Sequence, residues 1–442
     1  MILLNICVVA ITTYLFIKLY KKAAGSLSVK KLNLYNISFY YLLFFCFIGL
    51  SSIFLGFREH YLLLKINDNT IFTKGYIIGI YALLVLPIAI IISLKAYGIK
   101  NYAAFYNKYI SKPVVIEKES YNYIYILCVL FSIIGIVALY YTFATFGTIP
   151  LISILSSSGD AGYIRFAISR AFTGNTYVRN LFALQLIPSL SYLTYIYFKI
   201  TNKYQWKYLF AILFVSSILC KTYNLEKSPL IIYFLYFYLI NSLLGIPNKS
   251  KKLIRFVIIG TVLLCGFYII TGYEGSFFTI YSGPVSRLIF SQIACLFLHI
   301  QAFPDIYPYL MGNSFSSFLG GNNIRSGRVV MEIFNLSGVA DDVAGVMNTL
   351  FVGEAYANFG MIGVMLSPII VGIIMGIVPT FFLKQEKNPV NIAIYVSLST
   401  IYASALVGGF VDFVYNIGAI FVFAIFAFIK VVSDDWKIKV KV

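Results

Sequence analysis

One long polar segment, residues 273–359, interrupts a chain that is otherwise made of apolar runs. Glu354 stands near the end of this segment, just before an apolar run, with Tyr356 and Asn358 close by. A carboxylate beside a membrane-spanning run is costly unless it is paired or functional. Glu354 therefore has either a chemical role or an ion pair with an arginine. If the segment is helical here, Asn358 shares the face of Glu354 at i+4, and Tyr356 does not.

Arginine and lysine are distributed unequally along the chain. Seven of the eight arginines lie in segments that alternate with the lysine-rich loops. The planar guanidinium binds phosphate bidentately and stays charged in a partly dry site. The distribution indicates a ligand that carries a diphosphate, with headgroup contacts or surface ion pairs as the alternative for any single arginine. The candidate binding cations are Arg165, Arg170, Arg287, Arg325, Arg328 and, as a ligand or as a salt bridge with Glu226, Lys227.

A metal site is not indicated by the histidines and cysteines. His299 lies among apolar residues, which favours a hydrogen-bonded packing role over catalysis. The six cysteines are scattered singly, without CxxC or Cys/His ligand spacing. We therefore expect neither a metal, nor another cofactor, nor a disulfide framework.

The elements that carry these residues are membrane-spanning helices. Charged residues make up 11% of the chain and apolar residues 60%, and runs of roughly 20 apolar residues recur throughout. The composition predicts an all-α polytopic membrane protein, residues 1–442, forming a single transmembrane domain. About eleven spans are predicted, with a twelfth as the alternative if the apolar helix from Pro284 to Phe303 crosses instead of lying against the outer surface. The predicted spans are 2–20, 36–56, 75–95, 121–144, 180–199, 207–223, 229–246, 254–272, 360–383, 390–408 and 413–431.

Lysines in alternate loops predict the orientation of these spans. They follow the first, third, fifth, seventh and ninth spans and end the chain, which places those loops in the cytoplasm. The N-terminus is then outside and the C-terminus inside. Two larger, partly helical loops, 145–179 and 273–359, face outward, and residues from Asp341 to Phe359 are expected to be helical. The net charge of +18 fits membrane lipids as partners, whereas the placement of lysines in short loops argues against nucleic acid.

A stretch near the end of the polar segment resembles a known family. Residues 353–360 read Gly-Glu-Ala-Tyr-Ala-Asn-Phe-Gly, followed by Gly363. This is similar to a stretch in bacterial oligosaccharide repeat-unit polymerases of the O-antigen polymerase (Wzy) family. The sequences Phe303-Pro304, residues 312–315 and residues 227–229 also resemble that group. The family's pattern of an arginine and a glycine at a fixed gap is not met cleanly, since Arg165 and Arg328 precede Gly174 and Gly338 by unequal gaps.

The resemblance implies a metal-independent glycosyltransferase of the bacterial inner membrane with its active site in the periplasm. It would transfer a growing glycan from undecaprenyl diphosphate to the sugar of another lipid-linked repeat unit, with a chain-length regulator of the polysaccharide co-polymerase (Wzz) class as partner. Glu354 would then be the base, with Arg165 and Arg287 acting on the leaving diphosphate. The other cations, with Tyr356, Asn358 and His299, would bind substrate. An O-antigen ligase and a lipid-linked oligosaccharide flippase are the alternatives, and arginines in loops rather than within spans favour an enzyme over a flippase.

Overall fold

The computed structural model describes residues 2–116, 121–156, 172–225, 228–246, 251, 254–255, 258–262, 275–336, 338 and 345–440. The described residues are mainly helical and contain no strand. The first helices are α1 (Ile2–Ala24), α2 (Leu34–Phe54), α3 (Thr70–Ala96), α4 (Tyr102–Ser111), α5 (Tyr121–Phe146), α6 (Pro150–Ser156), α7 (Val178–Thr201), α8 (Tyr204–Thr222) and α9 (Ser228–Leu243). They are followed by α10 (Pro284–Ala302), α11 (Ser326–Phe334), α12 (Phe351–Lys384), α13 (Pro389–Ala405), α14 (Val411–Val414) and α15 (Ile417–Val440).

Long apolar helices identify the chain as a multi-pass membrane protein. Within the described residues, eight helical segments are long and apolar enough to cross a membrane: α1, α2, α3, α5, α7, α10, α12 and the segment Val411–Val432. Many apolar side chains on these helices are exposed, for example Leu3 on α1 and Ile362 on α12. An exposed apolar surface of this kind is the normal outer face of a helix in lipid. The predicted all-α membrane fold is therefore confirmed, while the number of spans stays a prediction.

Helices α3 and α12 run parallel along most of their length and set the two ends of the assembly. Lys74 contacts Tyr356 where both helices begin, and the Lys384 Nζ atom donates to the Tyr97 carbonyl where both end. Small residues allow the close approach between them, because a Cβ on Gly372 would lie 2.4 Å from that of Ala89. The two helices pack closely along their lengths, so their ends mark the two ends of the helix assembly.

Lysine-bearing connections gather at one of these ends, here called the lysine end. The Lys31 Nζ atom donates to Asn107 at 2.9 Å, which joins the α1–α2 connection to α4. The Lys387 Nζ atom donates to the Lys112 carbonyl at 2.7 Å, which joins the α12–α13 connection to the same region. The opposite end holds the start of α12 and the α13–α14 connection. It is here called the pocket end, after a small pocket that lies beside the start of α12.

Helix α10 differs from the other long helices in where its two ends lie. Just before it, the Tyr281 carbonyl accepts a hydrogen bond from the Tyr61 amide at 3.1 Å. Near its last turn, the Gln301 amide donates to the Lys65 carbonyl at 3.2 Å. Tyr61 and Lys65 belong to one connection, between α2 and α3, so both ends of α10 lie along the same end of the assembly. Every residue from Ile293 to Ala302 is buried, so this half of the helix is enclosed by protein.

Of the predicted helix from Asp341 to Phe359, the part from Phe351 onward is helical, whereas residues 345–350 are not. Residues 345–350 are irregular, and Asp341 and Asp342 lie outside the described residues. The Met347 amide donates to the Gly327 carbonyl at 3.0 Å and the Phe351 amide to Leu406 at 3.0 Å. These amides donate to carbonyls in distant segments and not to carbonyls of a preceding helical turn, so α12 begins only at Phe351.

Candidate functional site

A buried carboxylate lies at the centre of the pocket end. Glu354, in the first turn of α12, is 3% exposed. Its Oε2 atom accepts a hydrogen bond from the Val411 amide at 3.0 Å, at the start of α14. Gly409 makes this approach possible, because a Cβ there would lie 2.3 Å from the same oxygen. The α13–α14 connection is thus shaped around the carboxylate.

Arg325 joins this carboxylate to a second one. Its Nη2 atom lies 2.8 Å from Asp412 Oδ1, and its Nη1 atom lies 3.8 Å from Glu354 Oε1. The side chain of Arg325 is 44% exposed, whereas that of Glu354 is 4% exposed. Burial lowers the pKa of the Arg325 guanidinium, but the two carboxylates outweigh burial, and the net pKa is raised. Arg325 therefore stays charged, with the tight bond to Asp412 and the loose one to Glu354.

A narrow pocket opens beside the Arg325–Glu354 pair. Its lining includes His299, Ser326 and Thr349, and it has room for roughly one water molecule. Thr349 is 2% exposed, and its hydroxyl has no hydrogen-bond partner within the described part of the chain. A buried hydroxyl without a partner costs about 1–3 kcal/mol. The pocket thus holds an unused hydrogen-bonding group next to a carboxylate and a guanidinium.

His299 reaches the pocket through Ser326. Its Nδ1 atom lies 2.7 Å from the Cys295 carbonyl, so this nitrogen carries a proton and donates. Its Nε2 atom faces the Ser326 hydroxyl at 3.2 Å. The buried ring is therefore fixed on both sides, as expected for a hydrogen-bonded packing residue, and it also orients the hydroxyl of the residue that follows Arg325.

Tyr356 and Asn358 do not share the environment of the Glu354 carboxylate. The Tyr356 hydroxyl accepts from Lys74 Nζ at 2.9 Å and donates to the Phe303 carbonyl at 3.1 Å. Asn358 lies at i+4 from Glu354, but its side chain donates to the Glu354 backbone carbonyl at 2.9 Å instead of to the carboxylate. Both side chains hold the start of α12 in place.

Asn358 also anchors the loop of residues 311–324. Its Nδ2 atom donates to Ser314 Oγ at 2.9 Å, and its Oδ1 atom accepts from the Gly312 amide at 3.2 Å. The far part of this loop exposes Phe318, which stacks on Tyr415 with ring centroids 5.8 Å apart. Because Tyr415 is three residues from Asp412, this aromatic pair lies in the same region as the charged groups.

Two of the remaining predicted cations, Arg328 and Arg287, are not brought to this pocket. Arg328 pairs with Glu332 at 2.7 Å on the surface of α11. Arg287 is exposed at the other end of α10 from His299, and its side chain has no ion pair or hydrogen bond among the described residues. The predicted binding residues Arg165, Arg170 and Lys227 lie outside the described residues.

Arg287 is instead a neighbour of His60. The buried His60 accepts from the Leu62 amide at 3.3 Å, and its Nε2 atom faces Ser291 at 3.4 Å. Burial, and secondarily the positive charge of Arg287, lower the pKa of His60 to about 4. His60 is therefore held neutral near pH 7. This cluster is separate from the Glu354 pocket.

Sequence reasoning missed three residues of this site: Asp412, which pairs with Arg325, and the pocket-lining residues Ser326 and Thr349. Asp412 carried a usable signal, since it is an isolated acid between the apolar runs of the last two predicted spans and follows two glycines. The sequence contains no comparable signal for Ser326 and Thr349, because single hydroxyl residues are common throughout such a chain. No group of three or more His, Cys, Asp or Glu residues that could hold a metal ion is present in the residues that the structure describes.

The assembled groups support proton transfer and anion binding. Glu354 offers a carboxylate for accepting a proton, and the half-exposed guanidinium of Arg325 has further N–H donors beyond those that face Asp412 and Glu354. Comparison of the chain with models of known protein families, with curated proteins and with solved structures finds no match.

Proposed function

We propose that this protein polymerises lipid-linked oligosaccharide repeat units on the periplasmic face of the bacterial inner membrane. The observation that carries the proposal is the Arg325–Glu354 pair, which combines a cation for a diphosphate with a buried carboxylate beside a pocket. The Gly-Glu-x-Tyr-x-Asn-Phe-Gly resemblance supplies the substrate class. An undecaprenyl-diphosphate-linked glycan is the donor, and the sugar of a second lipid-linked repeat unit is the acceptor.

The reaction transfers one glycosyl group between two lipids. An acceptor hydroxyl oxygen attacks the anomeric carbon of the donor, the bond from that carbon to the diphosphate oxygen breaks, and the lipid diphosphate leaves. Glu354 takes the hydroxyl proton, and Arg325 stabilises the negative charge that develops on the diphosphate. The long distance of 3.8 Å between Arg325 Nη1 and Glu354 Oε1 suits this order of steps. A diphosphate that binds Arg325 draws the guanidinium away from Glu354 and leaves the carboxylate free to act as the base.

Further cations extend the proposed substrate path. Arg287 is assigned to a more distant part of the lipid-linked substrate, since it is exposed and lies away from the pocket. Arg165, Arg170 and Lys227 belong to predicted outer segments and are proposed as diphosphate contacts on that ground alone. A chain-length regulator of the polysaccharide co-polymerase class is the proposed protein partner.

The placement of the two ends supports an eleven-span topology with the lysine end in the cytoplasm. Connections after α1, α3 and α12 share the lysine end, as odd-numbered spans require. The chain passes from Gly245, where a Cβ would meet Ile110 at the lysine end, to Tyr281, which contacts Tyr61 at the other. A passage here corresponds to the predicted span 254–272, much of which lies outside the described residues. Both ends of α10 contact one connection, which supports a topology in which α10 adds no crossing.

Cysteine labelling tests this orientation. An Asn322→Cys label should react with a membrane-impermeant reagent added to intact spheroplasts, and a Lys30→Cys label should react only after permeabilisation. Both positions are exposed in the structure. The reverse pattern would overturn the topology and with it the periplasmic placement of the pocket.

Glycan analysis in a deletion strain tests the activity. Glu354→Gln keeps the shape of the side chain and removes the base, so polymer should fall by about 10²–10⁴-fold at normal protein level. Arg325→Lys keeps the charge but loses the planar fork, and should also reduce polymer strongly. Glu332→Gln is the matched control, because Glu332 is an exposed acid that pairs with Arg328 outside the pocket.

The glycan products separate the proposed activity from its rivals. Loss of a polymerase leaves a single repeat unit on the lipid A core, whereas loss of a ligase leaves polymer on the carrier lipid. Loss of a flippase gives neither product outside the membrane. Normal polymer in both Glu354→Gln and Arg325→Lys would remove the pocket from the mechanism.

A further inference from the structure

A cavity at the lysine end, far from the pocket just described, has no place in the proposed reaction. It has a volume of about 310 Å³ and lies between the end of α1, the end of α3 and the start of α4. Its lining includes Lys21, Lys22, Lys95 and Lys100. Among the described residues, none of these four ammonium groups has an ion pair or a hydrogen bond.

Four cations that have no partner in the described part of the chain surround one cavity, and they repel one another. Helix C-termini favour nearby cations, which accounts for Lys21 and Lys22 at the end of α1 and for Lys95 at the end of α3. This effect does not account for Lys100, because Lys100 precedes α4 and lies near its N-terminus, where the helix dipole is positive. An anion in the cavity would offset the repulsion and would also face the N-terminus of α4.

The geometry of the cavity points to a ligand with an apolar part as well as an anionic one. Ile91 and Leu94 contribute an apolar wall beside the lysines. Exposed apolar side chains continue from the lysines along both helices, with Tyr14 and Ile17 before Lys21 and Ile88 and Ile92 before Lys95. Because residues three, four and seven apart share a helix face, these side chains form apolar stripes that lead to the cavity.

We infer that this cavity binds the phosphate headgroup of an anionic membrane phospholipid, with its acyl chains along the apolar stripes of α1 and α3. Basic pockets between spanning helices are known to take such headgroups. A soluble phosphate would share the headgroup chemistry but would make no use of the stripes. Gly25 forms the inner edge of the cavity at a φ of +73°, and a Cβ at this position would lie 2.7 Å from Ala103. The α1–α2 connection is therefore packed closely on α4 behind the lysines.

Lipid binding to purified protein tests the inference. Bound lipid is measured by native mass spectrometry after exchange into phosphatidylcholine micelles that contain cardiolipin or phosphatidylglycerol. The double variant Lys22→Gln/Lys100→Gln should bind the anionic lipids about 30-fold more weakly, since each lysine near a membrane surface contributes about fivefold. The double variant Lys22→Arg/Lys100→Arg keeps both charges and should retain binding.

The matched control is the double variant Lys30→Gln/Lys108→Gln. It removes the same charge near the same end, as the Lys31–Asn107 hydrogen bond places these residues, but neither residue lines the cavity. Equal loss in both glutamine variants would reduce the effect to general surface charge and would overturn the inference. Unchanged binding in Lys22→Gln/Lys100→Gln would overturn it as well.

Inorganic pyrophosphate distinguishes the two possible sources of the phosphate. It should displace little cardiolipin, because it cannot use the apolar stripes. Full displacement of the lipid at a similar concentration would show that the cavity takes a soluble anion and would refute the lipid assignment. The unfolding temperature of each variant in phosphatidylcholine alone checks that the fold is intact.

Discussion

Replacement of Gly409 by alanine should damage the pocket end through one contact. The added Cβ would lie 2.3 Å from Glu354 Oε2, which is closer than real Cβ atoms approach other atoms, and 3.0 Å from its Cδ. Gly409 is not among the glycines with a positive φ, so the backbone itself accepts alanine. The carboxylate must therefore move and give up its bond to the Val411 amide. A hydrogen bond to a charged group is worth about 1.5–3 kcal/mol, so we expect a loss of stability of about 2 kcal/mol.

A double-mutant cycle with Glu354→Ala isolates this contact. Unfolding free energies are measured by denaturant titration in mixed micelles for the wild type, the two single variants and the double variant. Without the carboxylate, Gly409→Ala has no close atom to displace and should cost less than about 0.5 kcal/mol. An equal cost of Gly409→Ala in both backgrounds would refute the reasoning, because the damage would then arise somewhere other than at Glu354.

Two further predictions concern a loop anchor and a histidine. Asn358→Ala removes the bonds to Ser314 and Gly312, so limited proteolysis should cut residues 311–324 faster and stability should fall by about 2–3 kcal/mol; an unchanged cleavage rate would show that the loop is held by other contacts. The pKa of His60 is lowered to about 4 in the folded state, so the unfolded state binds the extra proton between about pH 6.5 and pH 4. Stability should therefore be fully present above pH 6.5 and decrease as the pH falls to 4, by up to a few kcal/mol. His60→Gln should flatten that dependence in thermal unfolding scans, and a slope identical to that of the wild type would assign it to other groups.

The sequence was sufficient to predict long apolar helices, because apolar length is a local property, but it did not indicate short helices such as α4 and α11. Helix α1 and the parallel pair α3 and α12 follow directly from their apolar runs. The start of α12 did not follow, since residues 345–350 pair with Gly327 and other distant backbone. Whether a polar residue before a span continues the helix depends on such partners, and a single sequence does not reveal them.

The candidate site was predictable in part. The cost of a buried carboxylate identified Glu354, and the alternative of an ion pair with an arginine describes its contact with Arg325. Asn358 does lie one helical turn after Glu354, as the i+4 spacing predicts. The spacing does not determine the hydrogen-bond partner of the side-chain amide, which binds Ser314 and backbone groups instead of the Glu354 carboxylate. Gly409 in the α13–α14 connection and Asp412 in α14 are more than fifty residues from Glu354 along the chain. At such a separation, sequence patterns carry no pairing information.

The order in which the ribosome makes these segments has a consequence for biogenesis. Arg325 and Glu354 are synthesised before Val411 and Asp412, which complete their contacts. A nascent chain that has inserted α12 but not α13 holds Glu354 without its backbone donor, and such a carboxylate is costly at a membrane. The pocket therefore closes only when one of the last helices arrives. The pocket thus forms late in membrane insertion, and a chain stalled before that step carries a carboxylate that lacks these partners.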